Sequence, residues 1–374
     1  MAEVEITSVG GPADLRSFVD LPWSLYPRTS NWVPPLKSDV RHLLDRQRHP
    51  FWKCAEGELF LARRGGRTVG RIVALVDHNY NRCHDEKMGA WGFFECEDDR
   101  DAAAALYDAA SRWTRGRGMS FLRGPLNPST NYEIGTLIEG FEYPPVVMMP
   151  WNPPYYAQLA EHAGLAKEKD LLALHIGPND FPAERTERLA NAFMKRLGIS
   201  IRCADKRHFD REMALIKEIY NASWEKNWGF VPMTDDEIDE MGRSLLRIAD
   251  LDLVFFIYRG DDPAGVVVVL PDINPMLKLL NGRIGPIGLL KVLLFGRRKR
   301  GWRGIVFGFK AQYRKLGLPL LAFDYVNRTL REPRKRSSFL ELGWNLEDNN
   351  DINQFGLDVG GKIYKRYRIY RKEL

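Results

Sequence analysis

Cysteine is scarce. The 374 residues hold four, Cys54, Cys83, Cys96 and Cys203, and no two of them form a C-x-x-C pair. That excludes a disulfide scaffold and the usual paired-thiol zinc sites. His78, Cys83, His84 and Cys96 lie close together, but their spacings fit no zinc pattern, so free thiols in a reducing compartment and no metal are expected. No run of ~18 apolar residues occurs, and the opening MAEVEITSVGG lacks a basic-then-apolar signal. A soluble, cytoplasmic protein is expected. Neither sign of charge dominates: 55 Lys and Arg against 49 Asp and Glu leave +6, too mild to imply nucleic acid. Cations cluster instead at Arg297–Arg300, at Arg334–Arg336 and along the last dozen residues.

What is present is a long, ordinary globular composition, 44% hydrophobic and 28% charged, which excludes disorder. Single cores stop growing at roughly 250–300 residues, so two domains are expected. Alternating apolar runs at 58–63 and 69–77, joined by Arg64-Gly65-Gly66-Arg67, predict a hairpin. Strands follow at 89–95 and from Phe121, with a helix over 101–115 between them. Residues 170–176 read as a strand and 182–197 as a helix. A second series then repeats the order: helices at 208–224 and 234–249, strands at 252–258, 265–270 and 304–309, a helix at 318–331, a strand at 338–344, a helix at 349–358 and a last strand near 363–370. That order predicts an α/β fold with mixed sheets flanked by helices, in two domains spanning 1–190 and 191–374.

The sharpest local feature is Gln312-Tyr313-Arg314-Lys315-Leu316-Gly317-Leu318-Pro319, between an apolar strand ending at Phe309-Lys310 and an apolar helix. A strand that opens a helix through a short loop leaves backbone N–H groups aimed at an anion such as a pyrophosphate. Gly317 permits close approach, and Lys310, Arg314 and Lys315 add positive charge. The pattern resembles the pyrophosphate loop R-x-x-G-x-G/A of the GNAT acyltransferases. Pro319 replaces the last small residue and removes one amide donor. The equivalent stretch of the first half, Glu95-Cys96-Glu97-Asp98-Asp99-Arg100, carries four carboxylates and no glycine, so no coenzyme A is expected there.

Longer stretches resemble the bacterial ceramide synthase-like (YghO-type) proteins over most of the chain. They include Gly92–Asp99, Arg123–Asn131, Met148–Tyr156, Trp224–Pro232 and Gly360–Tyr370. The resemblance implies two GNAT-like domains in tandem, an acyl-CoA donor and an amine acceptor that is sphingoid or otherwise lipid-like. It also implies that Asn349 and Tyr364 flank the pantetheine arm, with Tyr364 able to protonate the leaving thiolate.

For the acceptor, Asn127, Asn131, Asn152, Tyr155 and Tyr156 form a polar and aromatic set in an apolar segment. Either they orient a head group or they bond their own backbone as a Pro-Asn loop. Trp224, Asn227 and Trp228 serve equally as a substrate contact or a packing plug. A general base needs a pKa near the working pH. Glu341, beside the loop strand, is the first candidate, Glu133 the second and Glu225 the third. Other readings of the fold are acetylation of a small amine, an aminoacyl-tRNA-dependent transferase, or a non-catalytic acyl-CoA- or lipid-binding protein. Last, Met276–Arg300 is an inserted apolar segment ending in four cations. It reads as one helix that either packs on the sheet or lies on an anionic membrane at its inner face.

Overall fold

A computed structural model describes residues 2–180, 183–224, 227–295 and 300–374. Glu225 and the cations Arg297, Arg298 and Lys299 lie outside the described residues, as do the side chains of Trp224 and Lys315.

The chain opens with β1 (Val4–Ser8), α1 (Pro12–Asp20), α2 (Pro22–Leu25) and α3 (Lys37–Leu43). Helices α1 and α2 lie in a stretch rich in Pro and Trp that runs to Leu36, and α3 follows it. The hairpin follows as β2 (Ala55–Arg64) and β3 (Arg67–Asp77). Its turn places Gly65 and Gly66 at φ 57° and 78°, the left-handed values a tight turn requires. Next come α4 (His78–His84), β4 (Met88–Cys96), α5 (Arg100–Arg115) and β5 (Phe121–Gly124). The Pro- and Asn-rich stretch contains three short strands, β6 (Leu126–Asn127), β7 (Glu133–Ile134) and β8 (Thr136–Glu139), before α6 (Tyr155–His162) and β9 (Ala166–Ile176).

The second series runs α7 (Ala183–Leu197), β10 (Ile199–Cys203), α8 (Phe209–Trp224), α9 (Asp235–Leu246), β11 (Val254–Arg259) and β12 (Asp262–Pro271). The insertion is two helices rather than one, α10 (Asn274–Leu280) and α11 (Pro286–Phe295). Asn281 and Gly282 take left-handed φ values of 47° and 84°, which ends α10, and Pro286 starts α11. Then follow β13 (Arg300–Phe309), α12 (Leu318–Arg331), β14 (Ser337–Leu346), α13 (Asn350–Asp358) and β15 (Lys362–Glu373).

These elements form two compact units. One comprises 1–171, 274–295 and 365–374; the other comprises 172–273 and 296–364. In the first, the strand order is β1-β2-β3-β4-β5-β15, with β8 also paired to β15. Helix α5 covers this sheet with Ala102, Ala103, Leu106, Tyr107 and Ala110, all buried against Val69, Ile72 and Trp91. Its alanines let it approach closely, and each larger side chain buried there contributes about 1.5–3 kcal/mol. In the second unit the order is β14-β13-β12-β11-β10. Phe255, Ile257, Val267, Val269, Trp302, Leu340 and Leu342 bury against Leu318, Leu321, Ala322 and Val326 of α12. The result is a mixed sheet in each unit with helices packed on it, and in the second unit α12 follows directly on Gly317.

Candidate functional site

The strand-to-helix junction of the second unit is built by its backbone. After Phe309 the chain makes a short 3-10 turn, Ala311–Leu316, and Gly317 at φ 73° redirects it into α12. A side chain is rarely found at that angle, and a Cβ placed on Gly317 meets nothing within 4 Å. Among the described residues no side chain caps the N-terminus of α12. The positive end of a fourteen-residue helix thus lies beside an open backbone position, although Pro319 has no N–H and the amides of Leu320 and Leu321 donate to Gly317 O at 3.1 and 3.2 Å.

Two of the loop's cations, Lys310 and Arg314, have protein partners. Lys310 Nζ meets Glu218 at 2.8 Å and Asp262 at 3.2 Å. Tyr313 Oη donates to the same Asp262 at 2.5 Å, and these two donors hold the Asp262 carboxyl below the usual range. Arg314 donates to the carbonyls of Ser223 at 2.6 Å and Phe309 at 3.2 Å, so it fastens the loop to the end of α8. Lys310 and Arg314 therefore brace the loop rather than standing free at its mouth. Gln312 is exposed and Leu316 packs against the core.

Upstream of the loop the sheet opens. Strands β13 and β14 pair in parallel from Arg300↔Ser337 to Gly304↔Leu342 and no further, although they continue to Phe309 and Leu346. Beyond the last pair Ile305, Val306, Phe307 and residues 343–346 become partly exposed. Such a split leaves backbone donors and acceptors for an extended amide-containing ligand. Asn345 Nδ2 and Asn353 Oδ1 are buried without a hydrogen-bond partner among the described residues. Asn349 caps α13, its Oδ1 accepting from Ile352 N at 3.5 Å. These features fit coenzyme A, with an anion at Gly317 and an amide arm in the split.

At the root of the split sits Glu341, fully buried. Arg303, opposite it in the parallel register, brings Nε to 3.3 Å from Oε1, a charge contact rather than an aligned hydrogen bond. Arg303 Nη2 also donates to Gly343 O at 3.0 Å. Tyr364 Oη donates to Glu341 Oε2, and its ring packs edge-on to His175 at 5.5 Å. Tyr364 is only part-buried. Arg303 was missed in the sequence, where nothing marks it except its strand.

In the first unit the corresponding helix end is already filled. Asp99 Oδ1 accepts from Ala102 N at 3.1 Å and caps α5, while Arg64 binds its carboxylate from two nitrogens at 2.9 and 3.0 Å. Glu97 is held by Arg67. A carboxylate therefore stands where an anionic ligand would dock.

The polar set of the first unit is engaged with backbone. Asn152 accepts from Leu137 N at 2.7 Å and donates to the carbonyls of Leu137 and Pro153. Asn127 Oδ1 accepts from Phe93 N at 2.6 Å, and Tyr155 Oη donates to Cys96 O at 2.9 Å. Asn131 sits in a turn, its N–H donating to Ser129 Oγ at 3.3 Å, and Glu133 is exposed on β7. In the second unit, Asn227 O accepts from Phe230 N, and Trp228 is half-buried in the same loop.

Sequence reasoning also passed over Glu95 as a centre. Tyr26 Oη at 2.6 Å and Tyr156 Oη at 2.8 Å both donate to its Oε2, and Arg71 stands 3.7 Å away. Burial raises the Glu95 pKa, and Arg71 and the two tyrosines offset this only in part. A raised pKa means the folded state holds its proton longer than the unfolded chain. Stability then falls as pH rises from the ordinary Glu range through the raised value. Glu95→Gln is expected to flatten that fall; equal melting-temperature slopes across pH for parent and variant would contradict this.

No family model matches the chain. Protein YghO of Escherichia coli is 33% identical, with 96% of this chain and 93% of that protein covered. The bacterial ceramide synthase of Caulobacter vibrioides is 34% identical, covering 100% of this chain and 98% of the relative. Among solved structures, a tandem GNAT protein from the clavulanic acid biosynthesis pathway matches at 13% identity and a TM-score of 0.57, over 99% of this chain and 98% of that one. A GCN5-related glucosamine N-acetyltransferase region of a fungal β-N-acetylglucosaminidase gives 15% and 0.59, covering 100% of this chain and 38% of that chain. At such identities the likeness concerns the fold. With full-length relatives above 30% identity, the chain belongs to the bacterial ceramide synthase-like (YghO-type) family, and its fold is that of tandem GNAT proteins.

Proposed function

We propose that the protein moves a long-chain acyl group from coenzyme A to the amine of a sphingoid-type or other amphipathic acceptor. The observation that carries the donor assignment is the contrast between two helix ends: α12 begins uncapped at Gly317, whereas α5 is filled by Asp99. The acceptor class is carried over from the relative named as a ceramide synthase.

The thioester supplies an acyl carbonyl open to attack. The amine nitrogen bonds to that carbon, the C–S bond breaks, and one proton passes from nitrogen to sulfur. Glu341 is beyond the reach of a substrate, so the group that meets the amine is Tyr364. Its Oη accepts the amine's proton while its own proton moves to Glu341 along the existing hydrogen bond, and the reverse transfer protonates the thiolate. Arg303, 3.3 Å from its other oxygen, holds the Glu341 carboxyl in place. The backbone at the β13–β14 split orients the donor, and such positioning supplies much of the rate in direct attack.

Both substrates are amphipathic and partition to lipid surfaces, so a peripheral position at the inner face of the membrane is expected. The test is mass spectrometry of lipids made by purified protein given mixed acyl-CoAs and sphingoid amines. An amide product with matching release of free thiol supports the reading; thioester loss without amide, or no turnover, removes it.

A further inference from the structure

We infer that the hairpin of α10 and α11 is a docking surface for an anionic lipid bilayer. This deepens the proposed function by naming where an enzyme with lipid substrates meets them, and it rests on that reading only for its purpose.

One side of the hairpin is fastened to the first unit. Asn274 donates to Pro145 O at 2.9 Å, Lys278 to Ser30 O at 2.6 Å and Trp23 Nε1 to Asn281 Oδ1 at 3.1 Å. The amide of Lys37 donates to Gly282 O at 3.1 Å, and a Cβ on Gly282 would come within 2.4 Å of the Trp23 ring. Helix α11 packs on α10 through Gly288, whose added Cβ would stand 2.8 Å from Leu280.

The other side is bare and greasy. Ile284, Ile287, Leu290, Leu293 and Leu294 are 66%, 73%, 58%, 68% and 58% exposed. Soluble surfaces rarely gather so many large aliphatics in one place without a partner. At ten residues α11 is about 15 Å long, half a bilayer core, and no described helix is long and apolar enough to cross a membrane. The geometry is that of a helix lying in the interface.

Charge selects the occupant. Residues 274–295 contain Lys278, Arg283 and Lys291 and no carboxylate, and Arg283 and Lys291 are exposed beside the aliphatics. The sequence then continues Arg297-Arg298-Lys299-Arg300. A second copy docked on this face would set like charges together with no acidic residue in the segment to pair them. An anionic bilayer supplies both the apolar medium and the counter-charge.

The full chain is floated with vesicles of phosphatidylcholine alone and with vesicles containing roughly a third phosphatidylglycerol. Binding to the anionic vesicles is expected to exceed that to neutral ones by about tenfold, and to weaken with salt. Ile287→Ser with Leu290→Ser and Leu294→Ser should lower binding about tenfold or more without lowering the melting temperature. Arg283→Glu with Lys291→Glu should abolish the anionic preference. No flotation of the parent, equal binding to both vesicles, or undiminished flotation of the serine variant would overturn the assignment. A dimer seen by sedimentation that the serine variant dissolves, without vesicle binding, gives the face to a second copy instead. Flotation uses neither acyl-CoA nor amine. A parent that floats but makes no amide therefore keeps the surface and removes the lipid-acylation reading, and the converse result does the opposite.

Discussion

Gly317→Asp is expected to weaken acyl-CoA binding by about two to three orders of magnitude while the protein remains folded. The backbone there is left-handed, a conformation that aspartate and asparagine accept better than other side chains. A Cβ meets nothing within 4 Å, so the substitution introduces no clash. What it introduces is a carboxylate at the mouth of an uncapped helix, where it can cap the first N–H groups and repel phosphate. At an effective dielectric near 20 and a separation of about 4 Å, one such repulsion is worth about 4 kcal/mol. Gly317→Asn shares the shape without the charge and should stay within about tenfold of the parent. Asp98→Asn in the first unit should leave affinity unchanged, since that helix end is filled by Asp99. Calorimetry with octanoyl-CoA decides it: parent-like affinity of Gly317→Asp would remove the loop from the donor site.

The second large effect concerns Glu341. Glu341→Ala is expected to cost about 3–5 kcal/mol of stability, because Arg303 then keeps a buried charge that has lost its carboxylate. Tyr364→Phe separates chemistry from folding. It removes one hydroxyl from a part-buried ring, so melting should change little, while kcat should fall about a hundredfold or more with KM nearly constant. A change in KM alone would make Tyr364 a binding residue; an unchanged kcat would take the proton path away from both residues.

The places where sequence sufficed and where it failed have physical reasons. The turn at Gly317 and the start of α12 are legible because a glycine between an apolar strand and an apolar helix marks a change of backbone direction. Helix α5 is legible from its alanine period and acidic start. The Arg303–Glu341 contact depends on a parallel register between β13 and β14, which no local pattern encodes. Glu95 draws its partners from Tyr26, Arg71 and Tyr156, spread over more than a hundred residues. Asn127 and Asn152 could have served a ligand or the backbone on sequence grounds, and only the hydrogen bonds to Phe93 and Leu137 tell which groups they meet. The apolar run after Met276 conceals its break because Asn281 and Gly282 are a small interruption in a strong pattern. Its membership of the first unit rests on contacts with Trp23, Ser30 and Pro145, far away in the sequence.

The most direct measurement compares kcat/KM for acetyl-, octanoyl- and palmitoyl-CoA, each with one sphingoid amine and one amino acid. An acyl chain that leaves water for an apolar groove gains about 0.8 kcal/mol per buried methylene. The expected result is a rise with chain length, palmitoyl exceeding acetyl by about three orders of magnitude or more, and amide formed with the sphingoid amine. A preference for acetyl-CoA, or for the amino acid, would contradict the lipid assignment.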